Sequence, residues 1–187
     1  TLRLASKSIR CVDLMRRATE RGSPHVQGIM AYTVEEAATL VDAGFLDILV
    51  AYPTAQTSDV AILVDLNSRT GVRVALVVDD ANQLPMLNSV AAGRGVLLPV
   101  VIEADISFRP FGGNLHIGAR RSPLVGIGAV RTFADQLRGH SHLKLIGVMA
   151  YESHVAGLPD RNPLRHGNRT KSLLRSLFAS RVRRQRA

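Results

Sequence analysis

The sequence predicts an α/β protein built on a parallel sheet. Short apolar, β-branched runs recur along residues 2–150, and segments of helical periodicity separate them. Strict alternation of this kind gives parallel strands joined by right-handed crossovers. A doubly wound open sheet and part of a (β/α)8 barrel both satisfy it. A complete barrel needs about 250 residues, whereas the chain has 187, and strong strand patterning stops at Tyr151 after six strands.

The first run, Leu2–Ser6, alternates and reads as a strand that stops at Lys7, with helical spacing of Ile9, Val12, Met15 and Leu14 from Ser8 onward. Val26–Tyr32 is the second strand. Thr33-Val34-Glu35-Glu36 has capping-box spacing, Val34, Ala37, Ala38 and Val41 form a buried stripe, and Gly44 stops that helix. Leu46–Ala51 is an apolar run suited to a strand covered on both faces. A helix over Val60–Leu66, capped by Thr57 or Ser58, leads to the strand Val72–Val78. Asp80 caps a helix over Ala81–Val90, and Gly93-Arg94-Gly95 is a turn. Val96–Ala104 is a strand interrupted by Pro99, followed by a Gly-rich basic loop, Asp105–Ser122. Val125–Leu137 contains the next helix, and Leu143–Ala150 is the sixth strand.

Composition narrows the classes. With 46% apolar residues the chain has enough material for a core. The net charge of +9 invites a nucleic-acid reading, but residues 160–187 hold nine Lys or Arg against one acidic residue, Asp160. The remaining 15 basic and 14 acidic side chains nearly cancel, so the basicity belongs to the tail and nucleic acid is not the expected partner. Lys171–Arg184 reads as a basic amphipathic helix with Leu173, Leu174, Leu177 and Phe178 on one side, or as a frayed terminus. No apolar run is long enough to span a membrane. Cys11 is the only cysteine, which fits a reducing, cytoplasmic setting and a packing role.

Parallel α/β proteins place chemistry just past the strand C-termini. Those positions here are Lys7, Tyr32-Thr33, Tyr52-Pro53-Thr54, Asp79-Asp80, Asp105 with Arg109, and Tyr151-Glu152 with His154. They include all three tyrosines and one of the three lysines. A lysine at such a junction can form a Schiff base with a carbonyl, although most exposed lysines are simply solvated. Arg109, His116, Arg120 and Arg121 in the basic loop suit an anionic ligand, or are a solvated loop. No metal is expected: the six histidines are scattered, and there is no His-x-x-x-His or cysteine pair. His140 and His142 flank a strand start, away from the site. No nucleophile elbow, Walker loop or dinucleotide fingerprint is present, and Gly112-Gly113 and Gly126-x-Gly128 are too weak to count.

Four motifs then occur in order: Leu2-Arg3-Leu4-Ala5-Ser6-Lys7-Ser8 with Arg10-Cys11; Gly28-Ile29-Met30-Ala31-Tyr32-Thr33 with Glu36-Ala37; Asp47-Ile48-Leu49-Val50-Ala51-Tyr52-Pro53; and Gly147-Val148-Met149-Ala150-Tyr151-Glu152. As an ordered set they resemble the N-terminal barrel of the alanine racemase and D-threonine aldolase-like enzymes, the fold-type III pyridoxal-phosphate proteins. The resemblance covers about residues 2–157. It implies an incomplete (β/α)8 TIM-type barrel of about six parallel strands with helices outside. It also implies pyridoxal 5'-phosphate as cofactor, with Lys7 as the Schiff-base lysine. Tyr151 would lie in the cofactor pocket near the ring. Arg120 or Arg121 would approach the cofactor's phenolic oxygen.

The implied activity is racemase or aldolase chemistry at Cα of a D- or L-amino acid through a lysine aldimine. Residues 1–157 form the partial cofactor-binding barrel on this reading, and 158–187 the basic tail. The family barrel has two further strands, carrying a phosphate loop, and then a β-domain, and none of this is visible after Gly157. The sequence therefore reads as a truncated member, with a homodimer expected only for a full-length enzyme. The alternatives are a non-catalytic single-domain binding protein or an inactive fragment of such an enzyme.

Overall fold

A computed structural model describes residues 1–153. These residues fall into two compact units, each treated by itself: Thr1–Ala104 with Ser122–Met149, and Asp105–Arg121 with the segment that starts at Ala150. The segments proposed from sequence as a basic tail and its helix, together with His154, lie outside the described residues.

The first unit is built on a six-stranded sheet of β1 (Leu2–Ala5), β2 (Val26–Ala31), β3 (Asp47–Val50), β4 (Arg73–Val78), β5 (Leu98–Ala104) and β6 (Leu143–Ala150). Its spatial order is β1-β2-β3-β4-β5-β6, with β1 through β5 paired in parallel. That order separates the two architectures. A doubly wound sheet reverses its strand order at a switch point, and here no reversal occurs. The sheet is wound in one direction, as in part of a (β/α)8 barrel.

The connecting helices are α1 (Ser6–Ile9), α2 (Val12–Gly22), α3 (Val34–Asp42), α4 (Thr57–Asn67), α5 (Leu84–Gly93) and α6 (Gly126–Arg138). Alternate strand residues such as Ile29, Ile48, Leu76, Val100 and Ile102 pack into one core with Leu40, Leu63, Leu87 and Phe133 of the helices. The opposite strand face holds a smaller cluster, Ala75, Val77 and Val101, with Leu49 and Met149 against it. Full burial of a branched aliphatic side chain is worth roughly 1.5–3 kcal/mol. Most of the stabilisation therefore lies between sheet and helices, and the other face holds the smaller cluster.

Two local devices fix the register. Leu2 pairs with Val26 but Leu4 pairs with Ile29, so β2 carries one extra residue at a bulge. Gly28 lies in that bulge at φ +73°. Because side chains alternate with period two, the bulge decides which residues of β2 face the helices. Ile29 and Ala31 do so, which leaves Met30 and Tyr32 for the other face. Below it, Asp47 accepts hydrogen bonds from Arg3 (3.0 Å) and Arg73 (2.9 Å), tying together β1, β3 and β4. Burial alone would raise the Asp47 pKa, but hydrogen bonds from Arg73 and Arg3 outweigh it and hold the carboxyl below its ordinary value.

Several expected boundaries shift. Pro99 is accommodated inside β5, which starts at Leu98, with the Leu98 N–H bonded to the His142 carbonyl at 2.9 Å. The Ala81–Val90 helix opens as a 3-10 turn over Ala81–Gln83, where Asp80 accepts from the Asn82 N–H at 2.9 Å, before α5 begins. Neither Thr57 nor Ser58 caps α4: Gln56 occupies that position without a side-chain bond, and both expected caps lie inside the helix. Leu14 points outward, whereas Met15 is buried. The expected Leu2–Ser6 strand ends one residue early, because Ser6 already begins α1.

Candidate functional site

Lys7 lies in the first turn of α1 rather than at the end of the strand, and it is exposed. The residues around it are fixed. Ser6 is buried, its Oγ donates to the Met30 carbonyl at 3.0 Å, and its own carbonyl accepts the Arg10 N–H at 2.8 Å. Arg10 adopts φ +47°, which ends α1 after one turn. A buried hydroxyl and a left-handed residue thus hold the backbone on both sides of an exposed amine. Cys11 is likewise exposed, at the N-cap of α2, so the packing role expected for it is not what the fold gives it.

Tyr32 and Tyr52, just past β2 and β3, meet with ring centroids 4.4 Å apart and planes at 47°. Such tilted pairs add about 0.5–1.5 kcal/mol beyond area burial. The turn beneath Tyr32 is the expected capping box with one change. Thr33 Oγ accepts from the Glu36 N–H at 3.2 Å, but Glu36 accepts from the Tyr32 N–H at 2.7 Å rather than from Thr33. The reciprocal bond therefore secures the tyrosine itself. Thr54, expected at the site, is engaged structurally: its hydroxyl donates to Asp59 at 2.5 Å and its carbonyl accepts from the Gln83 amide at 3.2 Å.

Asp79 follows β4, and Glu103 lies near the end of β5. Both are buried, with Ser122 beside them. The side chains at 79 and 103 share the parity of Val77 and Val101, the face turned away from the helices. Burial, then Glu103, then Asp80 push the Asp79 pKa above its ordinary value. Sequence reasoning missed Glu103 and Ser122. The available signal was a lone charge inside Leu98-Pro99-Val100-Val101-Ile102-Glu103-Ala104.

The second unit contains the remaining candidates. A single antiparallel bridge, Phe108 with Ile117, closes the basic loop. Arg109 pairs with the buried Asp105 carboxylate at 3.0 Å, a bond within the loop itself. Burial opposes ionisation of Asp105, but bonds from Ser107 and Arg109 hold its pKa low. The His116 Nε2 is buried without a hydrogen-bond partner. The Arg121 guanidinium stacks on the Tyr151 ring, 5.6 Å from its centroid, whereas Arg120 is exposed. Ser153 Oγ accepts from the Ala119 N–H, a further tie between the loop and the segment after β6. The structure thus brings Arg121 and Tyr151 together within this unit, while Lys7 belongs to the first.

No family model and no curated protein matches the chain. Solved structures do. D-threonine aldolase from Filomicrobium marinum matches with TM-score 0.63 and 25% identity, over 79% of this chain and 35% of that one. D-threo-3-hydroxyaspartate dehydratase from Delftia sp. HT23 matches with TM-score 0.60 and 23% identity, over 80% and 35%. Alanine racemase from Clostridium difficile 630 matches with TM-score 0.53 and 12% identity, over 80% and 35%.

The fold of this chain is thus similar to the barrel of these D-threonine aldolase, hydroxyaspartate dehydratase and alanine racemase structures. The chain spans about a third of the length of the structures that it matches. Among the described residues no helix is long and apolar enough to cross a membrane, and no group of His, Cys, Asp and Glu is arranged to hold a metal ion.

Proposed function

We propose that the chain is a pyridoxal 5'-phosphate-binding barrel of the amino-acid racemase and aldolase type, in which Lys7 holds the cofactor as a Schiff base. The observation that carries this is an exposed lysine on a fixed backbone, just past β1, in a fold shared with D-threonine aldolase and alanine racemase. The donor set suits a phosphorylated aromatic aldehyde: a primary amine for the carbonyl, and an arginine braced on an aromatic ring for an anionic oxygen. Of the two candidate arginines, we assign Arg121 to the phenolic oxygen, because its guanidinium lies over the ring of Tyr151, the other residue expected in the cofactor pocket. Residues 1–157 form the cofactor-binding unit on this reading.

When bound, the cofactor supplies an electron sink for bonds at Cα of an amino acid. The chain's residues bind and orient: Lys7 fixes the cofactor carbonyl carbon, and Tyr151 lies near the ring. Racemase and aldolase outcomes differ in which Cα bond is broken, and both are carried forward to the assay.

The test is a titration with pyridoxal 5'-phosphate followed by absorbance. An imine band is expected in the wild type and its loss in Lys7→Ala. Absence of the band at saturating cofactor overturns the binding claim. Binding without turnover of any D- or L-amino acid identifies a non-catalytic binding protein.

A further inference from the structure

We propose that Tyr32 and Tyr52 form the subsite for the substrate side chain, and that this subsite takes an aromatic or large apolar group. It presupposes the function proposed above and adds the class of amino acid. Its basis is the level at which three neighbouring strands end. Ala5 of β1 pairs with Met30 of β2, and Ala31 of β2 pairs with Val50 of β3. Lys7 and Tyr32 each come two residues after the first of these pairs, and Tyr52 comes two residues after Val50. The three residues therefore leave adjacent strands at nearly the same level. Adjacent strands lie about 4.8 Å apart, less than the length of a lysine or tyrosine side chain. A group held on Lys7 is thus within side-chain reach of Tyr32, with Tyr52 next beyond it along the rim.

The two rings form one surface on a fixed backbone. Their centroids are 4.4 Å apart, Tyr32 is 49% exposed, and Tyr52 is half-buried. Ala31 and Ala51 beneath them are buried, and the Ala51 N–H donates to the Ala31 carbonyl at 3.0 Å. The Tyr32 N–H donates to the Glu36 carboxylate at 2.7 Å. Tyrosines held in this way present rigid contact area and lose little conformational entropy when a ligand covers them.

Polar side chains that flank the pair are already engaged. The Glu36 carboxylate takes the Tyr32 N–H, the Thr33 hydroxyl accepts from the Glu36 N–H at 3.2 Å, and the Thr54 hydroxyl donates to Asp59 at 2.5 Å. What the pair offers a ligand is ring surface. Such a surface gains most from another ring or a large apolar group and little from a single methyl. A charged side chain must give up hydration to make the same contact.

Calorimetric titration of the full chain with the reduced adducts N-(5'-phosphopyridoxyl)-phenylalanine and N-(5'-phosphopyridoxyl)-alanine tests the subsite. Each adduct carries cofactor and amino acid in one molecule and needs no covalent bond to Lys7. The phenylalanine adduct should bind about tenfold tighter than the alanine adduct. Tyr32→Ala should bring that ratio close to one, and Tyr32→Phe should keep it. If Tyr32→Ala fails to fold, the wild-type ratio decides alone. Equal affinities, a ratio that survives Tyr32→Ala, or tighter binding of the corresponding lysine or glutamate adduct overturns the subsite and leaves the cofactor reading standing. Binding of no adduct overturns both.

Discussion

Gly28→Ala tests the bulge that sets the facing of β2. Gly28 has φ +73°, and an alanine there would adopt a left-handed conformation at about 1–2 kcal/mol. Its Cβ would also meet the Arg3 guanidinium and stand 2.8 Å from the Asp47 carbonyl oxygen. The guanidinium can move, but it then gives up its bonds to the Asp47 carboxylate at 3.0 Å and the Ile29 carbonyl at 3.3 Å. With both partners about a third exposed, solvent screening limits that loss to about 1 kcal/mol. The backbone oxygen must also give by a few tenths of an ångström.

Together these amount to about 3 kcal/mol, or about 1.5 M in urea midpoint for an m-value near 2 kcal/mol/M. Gly44→Ala is the control. Gly44 has φ +95° and nothing within 4 Å of the position its Cβ would take, so only the backbone strain applies. Equilibrium urea unfolding of the two variants should therefore differ by about 1–2 kcal/mol beyond the common strain. Equal destabilisation, or less than about 0.5 kcal/mol for Gly28→Ala, would refute the close-approach argument.

Other perturbations follow from the same contacts. Asp47 has a native pKa below 3.8, so its stabilisation is present above that value and is lost as pH falls through the native one. Asp47→Asn should flatten acid unfolding in this window, and an unchanged acid limb would contradict the network's role. Leu76→Ala removes a fully buried side chain from the sheet–helix core and should destabilise by about 2–5 kcal/mol in the same urea assay. Ser6→Ala deprives the Met30 carbonyl of a donor and should lower the melting temperature modestly. If Ser6 positions Lys7, its imine band should also weaken at a cofactor concentration that saturates the wild type.

Much of the fold was legible because strand burial is written in apolar runs. Val72–Val78 and Leu143–Ala150 stand out by composition alone, and the observed β4 and β6 fall within them. Boundaries were less legible where a side chain changes the local balance. β1 ends one residue early and α1 starts at Ser6, whose hydroxyl bonds to Met30, a partner distant in sequence. The choice between open sheet and barrel depended on strand order, which periodicity does not encode. Strand-end position in the sequence singled out Lys7, Tyr32 and Asp79 as candidates, and the structure puts Lys7 one step further, in the first turn of α1. The pairing of Arg109 with Asp105 and of Arg121 with Tyr151 required the loop's actual path. Cys11 illustrates the reverse: a residue type that is usually buried sits exposed at a helix start.

The central claim concerns one nitrogen. Reduction of the chain with borohydride in the presence of pyridoxal 5'-phosphate, followed by peptide mapping, locates the trapped adduct. The account predicts a single stoichiometric adduct on Lys7, with Lys144 unmodified. An adduct on Lys144, a distribution over exposed amines, or none at saturating cofactor would contradict it.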